Sequence, residues 1–199
     1  MPVYRYTGLN HNNNITHIFF DQNNPCEIRE IYSSMFEQAK ALEYIDFKAM
    51  KKLRVINDEA FIGCSRYTNF TFYDPLVFIG KQAFSSAGSA FEEVPSKAVT
   101  ITLNSMLQEL GEQAIRYGVS HKTLIIGEPG KPTQLTLQDW LSMEKTVYRI
   151  QHYSGKRFTN IQIYCNEEDV NTWYNWVTKE KFVTKENDYT LTINGQKRD

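Results

Sequence analysis

The sequence predicts an α/β repeat fold, a solenoid in which stacked coils pair their strands into a parallel ladder. One observation is a short motif, clearest at residues 79–84, that recurs before and after that point. Another is a stretch of alternating apolar and polar residues that follows most copies of the motif at a constant distance. A single unit of this kind cannot bury its own apolar face, so neighbouring units must stack and share one core.

The copies of the motif come into register when each unit is numbered from its first apolar residue, position 0. The five predicted units begin at Ile31, Ile56, Ile79, Leu110 and Val147. Position +5 holds Phe36, Phe61, Phe84, Ile115 and His152. Position +8 holds Ala39, Cys64, Ala87, Gly118 and Gly155, which are small in every unit. A small residue at +8 lets one coil approach the next closely, and the spacing from 0 to +8 predicts a short turn or a single helical loop.

The second half of each unit reads as a strand. Apolar pairs stand at positions +14 and +16, namely Ile45 and Phe47, Phe70 and Phe72, Leu124 and Ile126, and Ile161 and Ile163. In the third unit the pattern resumes at Ile101 and Leu103, after an insertion at residues 88–97. Alternation of this kind is the signature of a half-buried strand. We therefore expect the strands of successive units to pair in parallel.

The motif and the strand together resemble a known repeat. The order Ile-Gly-x-x-Ala-Phe, then a small residue or Cys, then a strand of the Leu-x-x-Ile-x-Ile type, resembles the BspA-like leucine-rich repeat of bacteria. Residues 79–84 match its signature best, and residues 56–72 match through both halves, with Cys64 where that family often has Cys. The resemblance covers residues 28–164 and implies a leucine-rich-repeat solenoid of about five irregular units.

The ends of the chain depart from the repeat. Residues 1–27 are expected to be an N-terminal arm and a cap strand, and residues 28–164 the repeat array, with an irregular insertion at 128–146. Residues 165–199 are expected to be a C-terminal cap made of a short helix and a strand, because an open solenoid needs capped ends. Asn166 is the predicted N-cap of that helix, since three acidic residues follow it. Residues 189–195 alternate as a final strand.

Composition and charge narrow the possible partners. The chain has 199 residues and a net charge of −1, and its Lys and Arg residues are scattered. Nothing therefore directs it towards nucleic acid or an anionic membrane. No segment approaches the ~20 apolar residues of a membrane span, and residues 1–14 lack the apolar core of a secretory signal. The expected location is the cytoplasm, or the outside of the cell if a signal has been removed.

No group of residues predicts catalysis. The four histidines are not at metal-ligand spacing with one another or with the three cysteines, so we expect no catalytic residues, no metal and no cofactor. An odd number of cysteines in a chain of this length does not indicate a disulfide framework. Cys64 stands at the small +8 position, which favours a buried packing role.

The outward side of the strands is the candidate partner-binding surface. Residues at +13, +15 and +17 should line up across units as a ladder of uncharged polar residues and tyrosines. The predicted contact residues are Tyr44, Asp46, Lys48, Asn69, Thr71, Tyr73, Thr100, Thr102, Thr123, Asn160, Gln162 and Tyr164. Tyrosine gives a large contact area at little cost in side-chain entropy, which favours recognition.

The sequence is compatible with two functions from different classes. The repeat array, without a reactive cluster, favours a non-enzymatic module that binds another protein. The resemblance implies bacterial adhesion or host interaction, and a version without a signal would instead act inside a cell, for example as a phage-encoded protein that binds and inhibits a partner. The alternative is a small enzyme or regulator with a site in residues 127–166, where the repeat is irregular and Trp140, Tyr148 and His152 occur.

Overall fold

The structure is a computed structural model that describes most of the chain. The described residues are 9–21, 23, 26–91, 99–117, 121–135, 150–152, 158–179 and 189–198. Several predicted residues lie outside them, namely Gly118, Trp140, Val147, Tyr148 and Gly155.

Short strands account for most of the regular structure. They are β1 (His17–Ile18), β2 (Glu30–Ile31), β3 (Tyr44–Ile45), β4 (Val55–Ile56), β5 (Phe78–Ile79), β6 (Val99–Leu103), β7 (Glu109–Leu110), β8 (Ile115–Tyr117), β9 (His121–Ile126), β10 (Ile150–His152), β11 (Asn160–Ile163), β12 (Thr190–Ile193) and β13 (Gln196–Arg198). The helix α1 covers Val170–Lys179, directly after a 3₁₀ helix at Glu167–Asp169. Further 3₁₀ helices lie at Phe47–Ala49 and Ser89–Phe91.

The recurring motif builds a first parallel ladder. Its strands pair in the order β2, β4, β5 and β7, so each unit lies beside the next. This pairing places the position 0 residues side by side in the predicted register, and all four are buried: Ile31, Ile56, Ile79 and Leu110.

The strand half of each unit builds a second ladder. Strands β6, β9, β11 and β12 pair in parallel, and β13 pairs antiparallel with β12 at the end. Thr71 bridges to Thr102, and β1 pairs with β3 in parallel. The apolar residues at +14 and +16 are buried in every unit, as predicted. The predicted final strand at 189–195 is confirmed as β12, which joins this ladder beside β11.

Between the two ladders, each coil contains residues whose backbone is in the left-handed conformation. The φ angle is positive at position +3, where Ser34, Glu59, Gln82 and Gln113 have values of 57°, 59°, 52° and 50°. It is positive again at +7, with 55° at Gln38, 72° at Gly63 and 64° at Ser86. N–H groups at +3, +5 and +7 then donate to carbonyls of the next coil, as from Phe61 to Ala83 at 2.7 Å. These bonds satisfy the backbone without a helical loop.

Two glycines at position +1 allow the coils to stack this closely. A Cβ on Gly80 would lie 2.5 Å from the backbone nitrogen of Asp58, and one on Gly111 would lie 2.6 Å from the carbonyl carbon of Gly80. Neither contact involves a flexible side chain that could move aside. Glycine is therefore required at these positions by backbone approach rather than by its φ angle.

Small residues at +8 are packed as the sequence predicts. Ala39, Cys64 and Ala87 are all buried. The Cys64 thiol donates to the carbonyl oxygen of Phe36 at 3.1 Å, and burial raises the pKa of this thiol to about 12. Cys64 is thus a protonated packing residue.

The aromatic residues at +5 form the centre of the core. The Phe61 ring stacks on Phe36, with centroids 4.9 Å apart, and on Phe84, with centroids 4.7 Å apart. Tyr67 packs against Phe61 and Phe84 at 5.3 and 5.5 Å. The stack continues from coil to coil and so couples three units.

Tyr67 offers a test of this core. Its hydroxyl is buried and has no hydrogen-bond partner among the described residues, and burial raises the pKa of Tyr67 well above the usual value. An unsatisfied buried hydroxyl is destabilising, so Tyr67→Phe is expected to raise the free energy of unfolding by about 1 kcal/mol in urea denaturation. Tyr32→Phe, at a side chain that is 47% exposed, is the matched control and should change little. A clear loss of stability in Tyr67→Phe would show that the hydroxyl is hydrogen-bonded.

The fifth unit differs from the predicted register. Ile150 pairs with Ile115, and His152 pairs with Tyr117, so the prediction that His152 stands at +5 is wrong by two residues. Ile150 precedes Ile161 by eleven residues, whereas Ile115 precedes Leu124 by nine. The two additional residues lie between the strands, and β11 therefore still pairs with β9 in the predicted register.

Coil geometry is already present upstream of the predicted array. The His11 N–H donates to the carbonyl of Glu37 at 2.7 Å, and its φ angle is 56°, so His11 repeats the +7 geometry. The Asn13 side chain accepts from the Lys40 N–H at 3.2 Å. The division into arm, array and cap at residues 27/28 and 164/165 stays a prediction.

At the other end, the predicted helix is present but starts differently. Trp173 and Val177 on α1 are buried, and Tyr174 is half-buried. Asn166 stands at the N-cap position, as predicted, but its side chain makes no cap hydrogen bond. Its carbonyl instead accepts from the Asp169 N–H at 3.0 Å, because the first turn is a 3₁₀ helix.

Candidate protein-binding surface

The outward residues of the second ladder form two rows, where three were expected. Strand pairing and alternation place one row at His17, Tyr44, Asn69, Thr100, Thr123, Asn160 and Thr190. They place the other at Phe19, Asp46, Thr71, Thr102, Ile125, Gln162 and Thr192. Nine of the twelve predicted contact residues thus lie on the outward side of the coils, with paired strands roughly 4.8 Å apart. Tyr44 belongs to the separate two-stranded sheet of β1 and β3.

The remaining three predicted residues do not form a third row of the sheet. Lys48 lies in the 3₁₀ helix Phe47–Ala49. Tyr73 precedes the cis peptide between Asp74 and Pro75. Tyr164 follows β11, and its carbonyl accepts from the Thr133 N–H at 2.7 Å. The sheet is therefore two rows wide, and these residues stand at its edge.

An aromatic cluster stands at the N-terminal end of this face. We define it as His17, Phe19, Tyr44 and Tyr73. The rings of His17 and Phe19 are parallel within 12° at 5.9 Å, and Phe19 lies 5.4 Å from Tyr44. Phe19 is 68% exposed and Tyr73 is 39% exposed. Phe19 and Tyr73 therefore expose aromatic surface to water.

Two members of the cluster, His17 and Phe19, were not among the predicted contact residues. The short apolar run at residues 15–20 predicts a strand, and β1 confirms it. The pairing of β1 with β3 places His17 beside Tyr44. No recognisable copy of the motif precedes β1 to establish the register.

The polar part of the face is less exposed than the cluster. Thr71, Thr102, Thr123 and Gln162 are half-buried. The Asn69 amide donates to the carbonyl of Ile45 at 2.7 Å, and its side-chain oxygen accepts from the Thr71 N–H at 3.2 Å. Asn69 thus stabilises the stacking of coils, and its hydrogen bonds are already made within the chain.

Asp46 provides a carboxylate beside the cluster. Its backbone N–H donates to the Ile18 carbonyl at 3.0 Å, which places it next to Phe19. The side chain accepts from the Ala49 N–H at 3.3 Å and so caps the 3₁₀ helix. Burial, followed by the Asp46 carboxylate and Tyr73, raises the pKa of Tyr44. The charge of Asp46 therefore acts on the cluster.

The irregular region contains a concave site. A cavity of about 450 Å³ is lined by Glu128, Pro129, Gly130, Lys131, Pro132, Tyr164, Cys165, Asn194 and Gly195. Burial, with Asp169 and Glu167, raises the pKa of the Cys165 thiol to about 11, so the thiol is protonated. The Lys131 ammonium lies 3.1 Å from the Glu128 carboxylate and 3.4 Å from that of Asp74. The described lining residues thus include no activated nucleophile.

Asp74 accepts several hydrogen bonds that hold neighbouring turns together. Its carboxylate accepts from the Asn104 amide at 3.0 Å, the Ser105 hydroxyl at 3.2 Å and the Met106 N–H at 3.3 Å. Burial raises the pKa of Asp74, but these bonds and Lys131 together outweigh it, so the pKa lies below the usual value. Asp74 is an anchoring residue for the turns around it.

Across the described ranges, no three His, Cys, Asp or Glu side chains converge in a way that would hold a metal ion. Within that same part of the chain, the helices lack the length and apolar character that crossing a bilayer requires.

Comparison with known proteins agrees with this geometry. The family model described as the BspA type leucine-rich repeat region matches residues 9–103 in six copies. Neither the search of curated proteins nor the search of solved structures returned a match. Leucine-rich repeats generally mediate protein–protein interaction, and their families are typically non-enzymatic. The motif ladder, the strand ladder and this match together show that residues 9–103 belong to the BspA-type leucine-rich repeat family.

Proposed function

We propose that the protein is a non-enzymatic module that binds another protein through the outward face of the second ladder, with the aromatic cluster as its anchor. The observation that carries the proposal is the exposure of Phe19, 68%, beside the rings of His17 and Tyr44. Exposed apolar patches of this kind mark interaction sites.

The arrangement fits the usual energetics of an interface. A few aromatic residues carry most of the binding energy, and surrounding contacts mainly exclude water. Here the cluster provides the rings, and the uncharged side chains of Thr71, Thr102 and Gln162 lie on the same outward side. The face is built on paired strands, so the partner meets a preorganised surface.

The biological setting belongs to the same proposal. Bacterial adhesion or host interaction is the setting that the family suggests, with the partner on another cell or on the host. Inhibition of a partner inside a cell, as by a phage-encoded protein, uses the same surface. Both settings require one binding face, so the face is tested first.

A pull-down with matched variants tests the proposal. The face variant combines Phe19→Ala, Tyr44→Ala and Tyr73→Ala. The control combines Tyr32→Ala, Arg54→Ala and Gln108→Ala, which are exposed residues at the first ladder. With hot-spot losses of about 2 kcal/mol each, the face variant should lose its partners, whereas the control should retain them. Retention of every partner by the face variant would count against the proposal.

A further inference from the structure

The exposed rings of the aromatic cluster have a chemistry that selects among protein partners. The faces of aromatic rings are electron-rich and attract cations. Phe19 and His17 lie parallel, and Phe19 remains open to solvent over most of its surface. A flat cationic group can therefore stack on the Phe19 ring.

The charges around the cluster favour the same kind of group. The Asp46 backbone N–H donates to the carbonyl of Ile18, so Asp46 lies beside Phe19. Besides burial, its carboxylate contributes to the raised pKa of Tyr44, so its negative charge acts on the cluster. Glu43, by contrast, is already paired with Arg66 at 2.8 Å. Asp46 therefore places a carboxylate beside the rings.

We propose that the aromatic cluster and Asp46 together bind an arginine side chain of the partner protein. This inference rests on the proposed function and names the chemistry at its anchor. A guanidinium is planar, stacks on aromatic rings and pairs with a carboxylate through two hydrogen bonds. A purely apolar group would take the Asp46 carboxylate out of water and add no hydrogen bond to the one it accepts from the Ala49 N–H, which is costly. A lysine ammonium could pair with the carboxylate, but it is not planar and would not stack on the Phe19 ring.

The experiment uses a small probe, so it does not depend on knowing the partner. Nα-acetyl-arginine amide is titrated into the ¹⁵N-labelled protein, and backbone shifts are followed at Phe19, Tyr44 and Asp46. The control probe is Nα-acetyl-citrulline amide, which has nearly the same shape without the charge. The citrulline probe is expected to bind roughly three- to tenfold more weakly because it lacks the cation.

Three variants separate the contribution of the Phe19 ring from that of the Asp46 carboxylate. Phe19→Leu keeps an apolar side chain but removes the ring, and it should weaken arginine binding roughly three- to tenfold. Phe19→Tyr retains a ring and should bind as the parent does. Asp46→Asn can still cap the 3₁₀ helix and should weaken the arginine probe without affecting citrulline.

Each outcome is decisive for this inference. Absence of a saturable shift, equal binding of citrulline, or unchanged arginine binding in Phe19→Leu would overturn it. If the face variant nevertheless loses its partners in the pull-down, the proposed function stands and only the arginine chemistry fails. If the probe binds but the partners persist in the face variant, the proposed function fails instead.

Discussion

Replacing Phe61 with alanine is expected to lower the free energy of unfolding by about 3–5 kcal/mol. Phe61 is fully buried and stacks on Phe36 and Phe84 on its two faces. Phe47 packs edge-on against the same ring at 6.1 Å. Truncation would leave a cavity shared by three coils, which cannot close without moving the ladders.

Urea denaturation of Phe61→Ala and of Phe19→Ala measures this effect. Phe19→Ala makes the same chemical change at a side chain that is 68% exposed, so it should alter stability by less than about 0.5 kcal/mol. Equal destabilisation of the two variants would mean that the aromatic stack does not hold the core.

Replacing Ala83 with aspartate is expected to destabilise the protein by roughly 2 kcal/mol or more. Ala83 is fully buried at position +4, and its carbonyl accepts the 2.7 Å hydrogen bond from Phe61. A carboxylate there would enter an apolar core close to Phe84.

The control for this change is Ala90→Asp. Ala90 is exposed in the 3₁₀ helix Ser89–Phe91, so the added carboxylate stays in water. The melting temperatures of both variants are compared with that of the parent. An unchanged melting temperature in Ala83→Asp would show that the motif does not face the core.

The burial pattern could be predicted from the sequence because side-chain periodicity reports burial directly. Positions 0, +5 and +8 fall in the core, and so do the strand pairs at +14 and +16. Parallel pairing of the strands could also be predicted, because similar units stack in the same direction. These features depend on side chains whose chemistry is visible in the sequence.

The backbone between the ladders could not be predicted in this way. Positive φ angles recur at Ser34, Glu59, Gln82 and Gln113, and none of these is glycine or asparagine. The left-handed conformation there is imposed by hydrogen bonds between coils, which overcome the local cost. A propensity argument from the residue type alone would place ordinary turns at these positions.

The register of the fifth unit was predicted wrongly for a related reason. The unit was numbered from Val147, which put His152 at +5, whereas Ile150 takes that place, and no aromatic residue marks it in the sequence. Pairing of Ile150 with Ile115 resolves the register in three dimensions. At Asn166 the sequence places the helix N-cap correctly, but it does not reveal that the cap residue acts through its carbonyl and not through its side chain.

The candidate surface was only partly predictable. Alternation along the strands places Tyr44, Thr71 and Thr102 outward, and the structure brings them onto one face. His17 and Phe19 join them only through the pairing of β1 with β3. The most exposed part of the surface therefore depends on a long-range contact that sequence spacing did not reveal.

Binding through the aromatic cluster is tested most directly by hydrogen–deuterium exchange. The protein is measured alone and saturated with a partner recovered in the pull-down. Peptides that contain residues 17–19, 44–48 and 69–73 should gain protection, while peptides of the first ladder around residues 108–112 should not change. Protection confined to the first ladder or to the turn at residues 127–132 would contradict binding through this face.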